Sequence, residues 1–221
     1  MTNASQQQRL LGLALLGIAP FLVNGLVNSA IAASAPLYWG FEMLTWIVIP
    51  ASIAWAATRL PGIGFADFGF HGAIRGQRNI GLLLLVCTLF APLVYGVYRT
   101  CYDFFSAILP AQGFFQYESV VPQSGVLYFV VVIYFALSAG LVEELLFRGM
   151  LHKALTGMRQ ALPLFLLLSP LLFSLVHWED GVANLVSTYI VGLFMALAYL
   201  GLRNLWPLVA GHVFTDLVWF G

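Results

Sequence analysis

Three short runs carry the residues whose types and spacing could do chemistry. They read Glu143-Glu144-Leu-Leu-Phe-Arg148, Phe173-Ser-Leu-Val-His177 and His212-Val-Phe-Thr-Asp216. A glutamate beside a histidine can polarise a water for attack on a carbonyl. A second histidine with a polar neighbour can hydrogen-bond the oxyanion that develops. On a helix, Glu144 and Arg148 are i and i+4 and pair on one face, which turns Glu143 about 100° away from that pair and leaves it without a local cation. His212 and Asp216 share the same i, i+4 relation. Glu143, His177 and His212 are equally an acceptable three-ligand set for zinc, so residue types alone leave metal-bound and metal-free hydrolysis open. The chain contains no Gly-x-Ser-x-Gly elbow, Walker loop, dinucleotide fingerprint or His-Glu-x-x-His helix.

The elements that position these groups follow from composition. Of 221 residues only 18 are charged, nine of each sign, while 61% are hydrophobic and mean hydropathy is +0.93. A soluble domain usually carries about 25% charged residues, so the chain reads as an integral membrane protein, and its zero net charge excludes a basic nucleic-acid binder. Apolar runs at about 10–34, 37–57, 80–98, 124–150, 161–178, 181–202 and 205–220 predict an all-α bundle of about seven transmembrane helices. We read residues 1–221 as a single membrane domain, with the motif helices in about 124–220 and no internal repeat. With the N-terminus in the cytoplasm, Arg9, Arg59, Arg75, Arg78, Lys153, Arg159 and Arg203 fall inside and only Arg99 outside, as the positive-inside rule requires. The first helix is expected to be retained rather than cleaved as a signal peptide. Trp39, Trp178 and Trp206 suit interfacial anchoring. Cys87 and Cys101 suggest neither a disulfide framework nor a metal cluster.

Charges inside apolar segments are informative because each costs roughly 2.5–3.5 kcal/mol to insert. Two histidines and a carboxylate pair on three helices are driven to face one another or a water-filled cavity. Glu42, near a segment end, reads as an interfacial carboxylate, and Asn24 and Asn28 read as interhelical hydrogen-bonding groups, with the lining of a cavity as the alternative. Depth raises a difficulty. With the boundaries above, Glu143 and His212 lie about 10 Å from the cytoplasmic helix ends and His177 nearer 24 Å by the roughly 1.5 Å rise. Helix tilt, a break at Pro163 or Pro170, or a shifted boundary in the fifth segment must then bring His177 back, in a cavity expected to open to the cytoplasmic half of the bilayer.

At these residues the sequence resembles the CAAX-protease and bacteriocin-processing family of intramembrane endopeptidases. The family signature is Glu-Glu-x-x-x-Arg, Phe-x-x-x-His and His-x-x-x-Asn/Asp on separate helices, and all three motifs occur here once and in order over roughly residues 138–220. The resemblance implies that Glu143 and His177 activate water, that His212 and Asp216 hold the oxyanion or orient the site, and that Glu144 and Arg148 stabilise it. It implies glutamate-dependent chemistry without a metal or other cofactor, on a peptide or protein substrate in or at the bilayer. Two departures matter. Asp216 stands where Asn is common, and an ionised Asp donates no hydrogen bond, so orienting His212 is its more natural task. The eighth helix of some members has no counterpart after Phe220. A compact chain without an added domain points to a bacterial cytoplasmic membrane. The alternatives are a non-catalytic bacteriocin-immunity or scaffold protein, and a proton-coupled carrier, for which inverted repeats are lacking.

Overall fold

The computed structural model describes residues 3–74, 76–115 and 117–221; the side chains of Asn3 and Glu118, and Arg75 from the basic count above, lie outside the described residues. It is an all-α bundle, with no strand among the described residues beyond one isolated bridge between Ile74 and Gln77. The seven helical segments are α1 (Ala4–Ile31), α2 (Ala35–Thr58), α3 (Ile80–Ser106), α4 (Val126–Leu155), α5 (Ala161–Leu175), α6 (Val182–Leu202) and α7 (Trp206–Phe220). Five of them are long and apolar enough to cross a membrane; α5 and α7, at 15 residues each, are shorter. By the helical rise these two reach only about 22 Å. They are also the helices that lead to His177 and carry His212.

Local irregularities have chemical causes. Pro20 tightens α1 into a 3-10 turn at Ala19–Val23, and α2 widens into a π turn at Leu44–Val48 just before Pro50, which lacks an N–H to give. A second π turn, Glu144–Met150, interrupts α4 at the motif itself. The Asn79 carboxamide caps α3 by accepting from Leu82 N at 3.0 Å. Helix α7 packs between α3 and α4, α5 pairs with α6, and α1 lies along the second half of α4.

Helix α1 starts at Ala4 and ends at Ile31, earlier than expected at both ends, and two further boundaries shift for reasons that bear on the site. Helix α3 runs on to Ser106, because Arg99 and Asp103 pair along it at 2.8 Å and tolerate exposure together. Helix α4 runs on to Leu155, because Leu151, Ala154 and Leu155 are buried against α1 while Lys153 turns outward to Asp67 at 2.7 Å. The polar letters His152 and Lys153 hide that apolar face in the sequence. Cys87 and Cys101 are free thiols.

The bundle therefore has two unlike ends. One gathers the segments 59–79, 156–160 and 203–205, with Gln6 of α1 donating to the Pro61 carbonyl at 2.6 Å. Arg9, Arg59, Arg78, Lys153, Arg159 and Arg203 belong to this basic end. The other end is formed by the segments 107–125 and 176–181, laced together by Phe114 N to Glu179 O at 2.8 Å and Ala183 N to Pro110 O at 3.0 Å.

Candidate active site

Glu144 and Arg148 are fully buried, and their pairing is direct: Arg148 Nη1 donates to Glu144 Oε1 at 2.9 Å. The guanidinium carbon sits 4.2 Å from the centre of the Phe173 ring, which contributes a cation–π contact from α5. Glu144 Oε1 also lies 2.9 Å from His212 Nδ1. A carboxylate already paired with arginine only accepts, so Nδ1 carries the proton and Nε2 is left for the cavity. Gly140 lets α7 come this close: a Cβ there would stand 2.6 Å from Val213 Cγ2 and 3.2 Å from Val213 N.

Glu143, one residue earlier, points elsewhere. It is 3% exposed, its Oε2 has no hydrogen-bond partner, and that atom lies 4.0 Å from His212 Nε2. Asp216 Oδ2 is 3.7 Å from the same Nε2. His177, just beyond the end of α5, donates Nδ1–H to the Phe173 carbonyl at 2.7 Å, which leaves its Nε2 as an acceptor. Glu143, His177, His212 and Asp216 all line one cavity of about 360 Å³. The sequence's polar groups on three elements do converge.

The depth difficulty resolves at α4 rather than α5. The His152 ring abuts Phe165 at 5.0 Å and Phe147 abuts Phe173 at 5.6 Å, so α4 and α5 run antiparallel. Phe173 also lies 5.8 Å from the His212 ring, which brings the end of α5 and His177 to the cavity that Glu143 lines. No break at Pro163 or Pro170 is needed; Pro170 sits inside α5. The boundary at fault was residue 150. Measured from Leu155, Glu143 lies about 18 Å along α4. The short α7 starts deep because Leu205 N is bonded to Gly69 O at 2.9 Å and Tyr199 OH to Phe68 O at 2.9 Å, which tucks the Phe65–Phe68 turn beneath it. The site thus lies toward the end opposite the basic loops, and the expected position in the half nearer those loops is corrected.

Three further expectations change. Glu42 is not interfacial: it is 1% exposed and lines the same cavity, because the segment around Tyr117 covers it. Asn24 lines the cavity too, with its Nδ2 donating to the Tyr117 hydroxyl, while the Asn28 amide has no hydrogen-bond partner among the described residues. The group that orients His212 is Glu144 rather than Asp216, whose 3.7 Å separation is ion-pair range and too long for a hydrogen bond. Sequence reasoning missed Glu179, a buried cavity carboxylate in the Trp178–Asp180 turn. Burial there lifts its carboxyl to about 8. Its only signal was its place two residues after a motif histidine.

Among the described residues no three His, Cys, Asp or Glu side chains form a metal-ligand group. His177 donates Nδ1–H to a carbonyl and His212 donates Nδ1–H to Glu144, which leaves both Nε2 atoms for the cavity. Histidines that bind a metal are held in the same way, so these bonds fit metal-bound and metal-free hydrolysis equally.

Comparison with known proteins bears on the same segment. Residues 125–218 match the family model described as type II CAAX prenyl endopeptidase Rce1-like. No curated protein and no solved structure matches the chain. The matched stretch begins one residue before α4, ends two residues after Asp216 and holds all six motif side chains. Residues 125–218, which carry the motif helices, are thus similar to the type II CAAX prenyl endopeptidases.

Proposed function

We propose that this chain is an intramembrane endopeptidase that hydrolyses membrane-associated or lipid-anchored peptides or proteins with a water activated by Glu143 and without a metal. The observation that carries it is the Glu143 carboxylate, buried with Oε2 unpartnered, in a cavity shared with His177 and His212. Glu143 takes a proton from water while His177 Nε2 accepts the other water hydrogen, and the hydroxide oxygen bonds to the scissile carbonyl carbon. The resulting oxyanion takes a hydrogen bond from protonated His212 through Nε2, with Glu144 and Asp216 balancing the imidazolium. Glu143 then passes its proton to the amide nitrogen as the C–N bond breaks. Glu143→Gln leaves the shape and removes the base, so cleavage of a membrane-tethered peptide by purified protein should fall at least about 100-fold. Undiminished hydrolysis refutes the reading. Activity abolished by a chelator and restored by zinc refutes its metal-free part.

The segregation of charge supports a cytoplasmic basic end and an N-terminus on that side. The cavity then faces the extracytoplasmic half of a bacterial cytoplasmic membrane, and substrates reach it from the outer leaflet. In a variant lacking Cys87 and Cys101, a membrane-impermeant thiol reagent added to intact cells should label Ala111→Cys and spare Gly157→Cys. The reverse pattern inverts the topology.

A further inference from the structure

The wall of the cavity formed by α1, α2 and the Trp178–Asp180 turn is not used by the hydrolysis just described. Among the described residues three buried acceptor atoms lie there without a hydrogen-bond partner: Glu42 Oε2, Glu179 Oε2 and Asn24 Oδ1. Glu42 is 1% and Glu179 2% exposed. They come from distant parts of the chain and are held in place by backbone. Glu179 O accepts from Phe114 N at 2.8 Å, and the Glu179 side chain lies directly over Gly25, where a Cβ would meet its Cβ at 2.6 Å. Among the described residues of α1 and α2, the Asn28 amide, the Tyr38 and Thr45 hydroxyls and the Trp46 indole N–H are also buried without a partner, and of these donors only Trp46 lines the cavity. Five carboxyl groups line the cavity (Glu42, Glu143, Glu179, Asp180 and Asp216), and no lysine or arginine lines it among the described residues.

A buried carboxyl without a partner holds its proton, as the raised Glu179 does, and ionises when a cation enters to stabilise the charge. A chain that pairs Glu144 with Arg148 in the same bundle had the means to pair these as well. What complements several convergent acceptors and no cation is a multi-donor cation. Lysine brings three N–H donors and arginine five, and neither accepts. Aromatic faces at Trp46 and Tyr117 suit the apolar stem and the charge of such a group.

We propose that Glu42 and Glu179, with Asn24, form a subsite for an ammonium or guanidinium group of the substrate, so that the enzyme selects peptides carrying a positive charge near the scissile bond. This rests on the endopeptidase reading for its role in cleavage, though the cation-binding site stands or falls separately. The cation arrives as a lysine or arginine side chain or as the free amino terminus, and the chemistry is the same.

Binding is measured first, on full-length protein in nanodiscs and on its Glu143→Gln variant, so that hydrolysis plays no part. Butylammonium and butylguanidinium are titrated against uncharged butylurea, with tryptophan fluorescence and thermal stabilisation as readouts. The cations should bind both proteins, butylurea should not, and Glu42→Gln and Glu179→Gln should each weaken cation binding by about tenfold or more. Melting temperatures of these near-isosteric variants identify any that misfold, and Glu42→Asp, which keeps the charge, should retain more affinity than Glu42→Gln. Equal binding of cation and urea, or affinity unchanged by both Gln variants, overturns the subsite. Membrane-tethered peptides with lysine, arginine or norleucine at one scanned position, each with free or acetylated amino terminus, then separate the two sources. Preference for the basic side chain after acetylation assigns it to the side chain, and loss on acetylation assigns it to the amino terminus. Equal cleavage of every peptide overturns selection. Carboxylate-dependent cation binding without cleavage of any peptide refutes the endopeptidase reading and leaves the subsite intact.

Discussion

Two groups of buried carboxylates share one cavity and differ in what answers them. On the side of α4 and α7, Glu144 accepts from Arg148 and from His212 through a single oxygen, each at 2.9 Å, and the guanidinium is closed over by Phe173. On the side of α1 and α2, Glu42 and Glu179 each have an oxygen with no partner, as Glu144 has in its Oε2, but among the described residues no salt bridge joins either of them to a cation. The Coulomb attraction of the first pair offsets the loss of hydration and fixes a histidine tautomer as a consequence. No salt bridge among the described residues does this for the second. Charge that is answered within the protein holds geometry; charge that is left open is available to something that enters. Glu143 stands between these cases, adjacent in sequence to the paired group and left open like the other, as a base that must exchange protons with water has to be.

The largest effect should come from breaking the answered group. Arg148→Met removes the cation and leaves Glu144 buried beside His212, which should cost about 3–5 kcal/mol. Heat- or denaturant-induced unfolding in detergent reads this, and adding Glu144→Gln should recover part of the loss. Glu42→Gln, by contrast, changes a carboxyl that has no cation partner among the described residues, and its cost should stay under about 1 kcal/mol. If Glu42→Gln destabilises as much as Arg148→Met, Glu42 has a partner within the fold and the two sides are not different in kind.

How much of this was written in the amino-acid order can be said residue by residue. Seven helices and six motif side chains were readable, because lipid excludes charge so strongly that any ionisable group in an apolar run stands out. Residues four apart on a helix also meet predictably. Contacts across the chain were not readable. Glu144 and His212 are 68 residues apart, and nothing local to either says which of Glu144 and Asp216 would orient the ring. Glu42 looked interfacial because it lies eight residues into its helix, and only the return of the segment around Tyr117 buries it. The end of α4 was misjudged because His152 and Lys153 are polar letters on a helix whose other face is buried against α1. That error of five residues, about 8 Å of helix, was enough to set Glu143 too near the helix end.

The finer test uses two glycines, each the point where one side of the cavity depends on a close approach. At Gly140 an added methyl meets Val213 Cγ2 at 2.6 Å and the Val213 backbone nitrogen at 3.2 Å, so α7 must move away from α4, carrying His212 with it. At Gly25 the methyl meets Glu179 Cβ at 2.6 Å and its carboxyl carbon at 2.9 Å, so the glutamate must leave the α1 wall. Each alanine should destabilise by about 1–3 kcal/mol, the usual range for overpacking. Their functional effects should separate. Gly140→Ala shifts a catalytic ring by a fraction of an ångström or more, and peptide cleavage should fall by about tenfold to a hundredfold with butylammonium binding little changed. Gly25→Ala should weaken butylammonium binding, while a tethered peptide without positive charge is cleaved at close to the wild-type rate. The outcome that would merge the two sides is a parallel loss of binding and cleavage in both variants at matched stability. A single carboxylate network would then span the cavity, and the unpartnered oxygens of Glu42 and Glu179 would belong to the catalytic machinery itself.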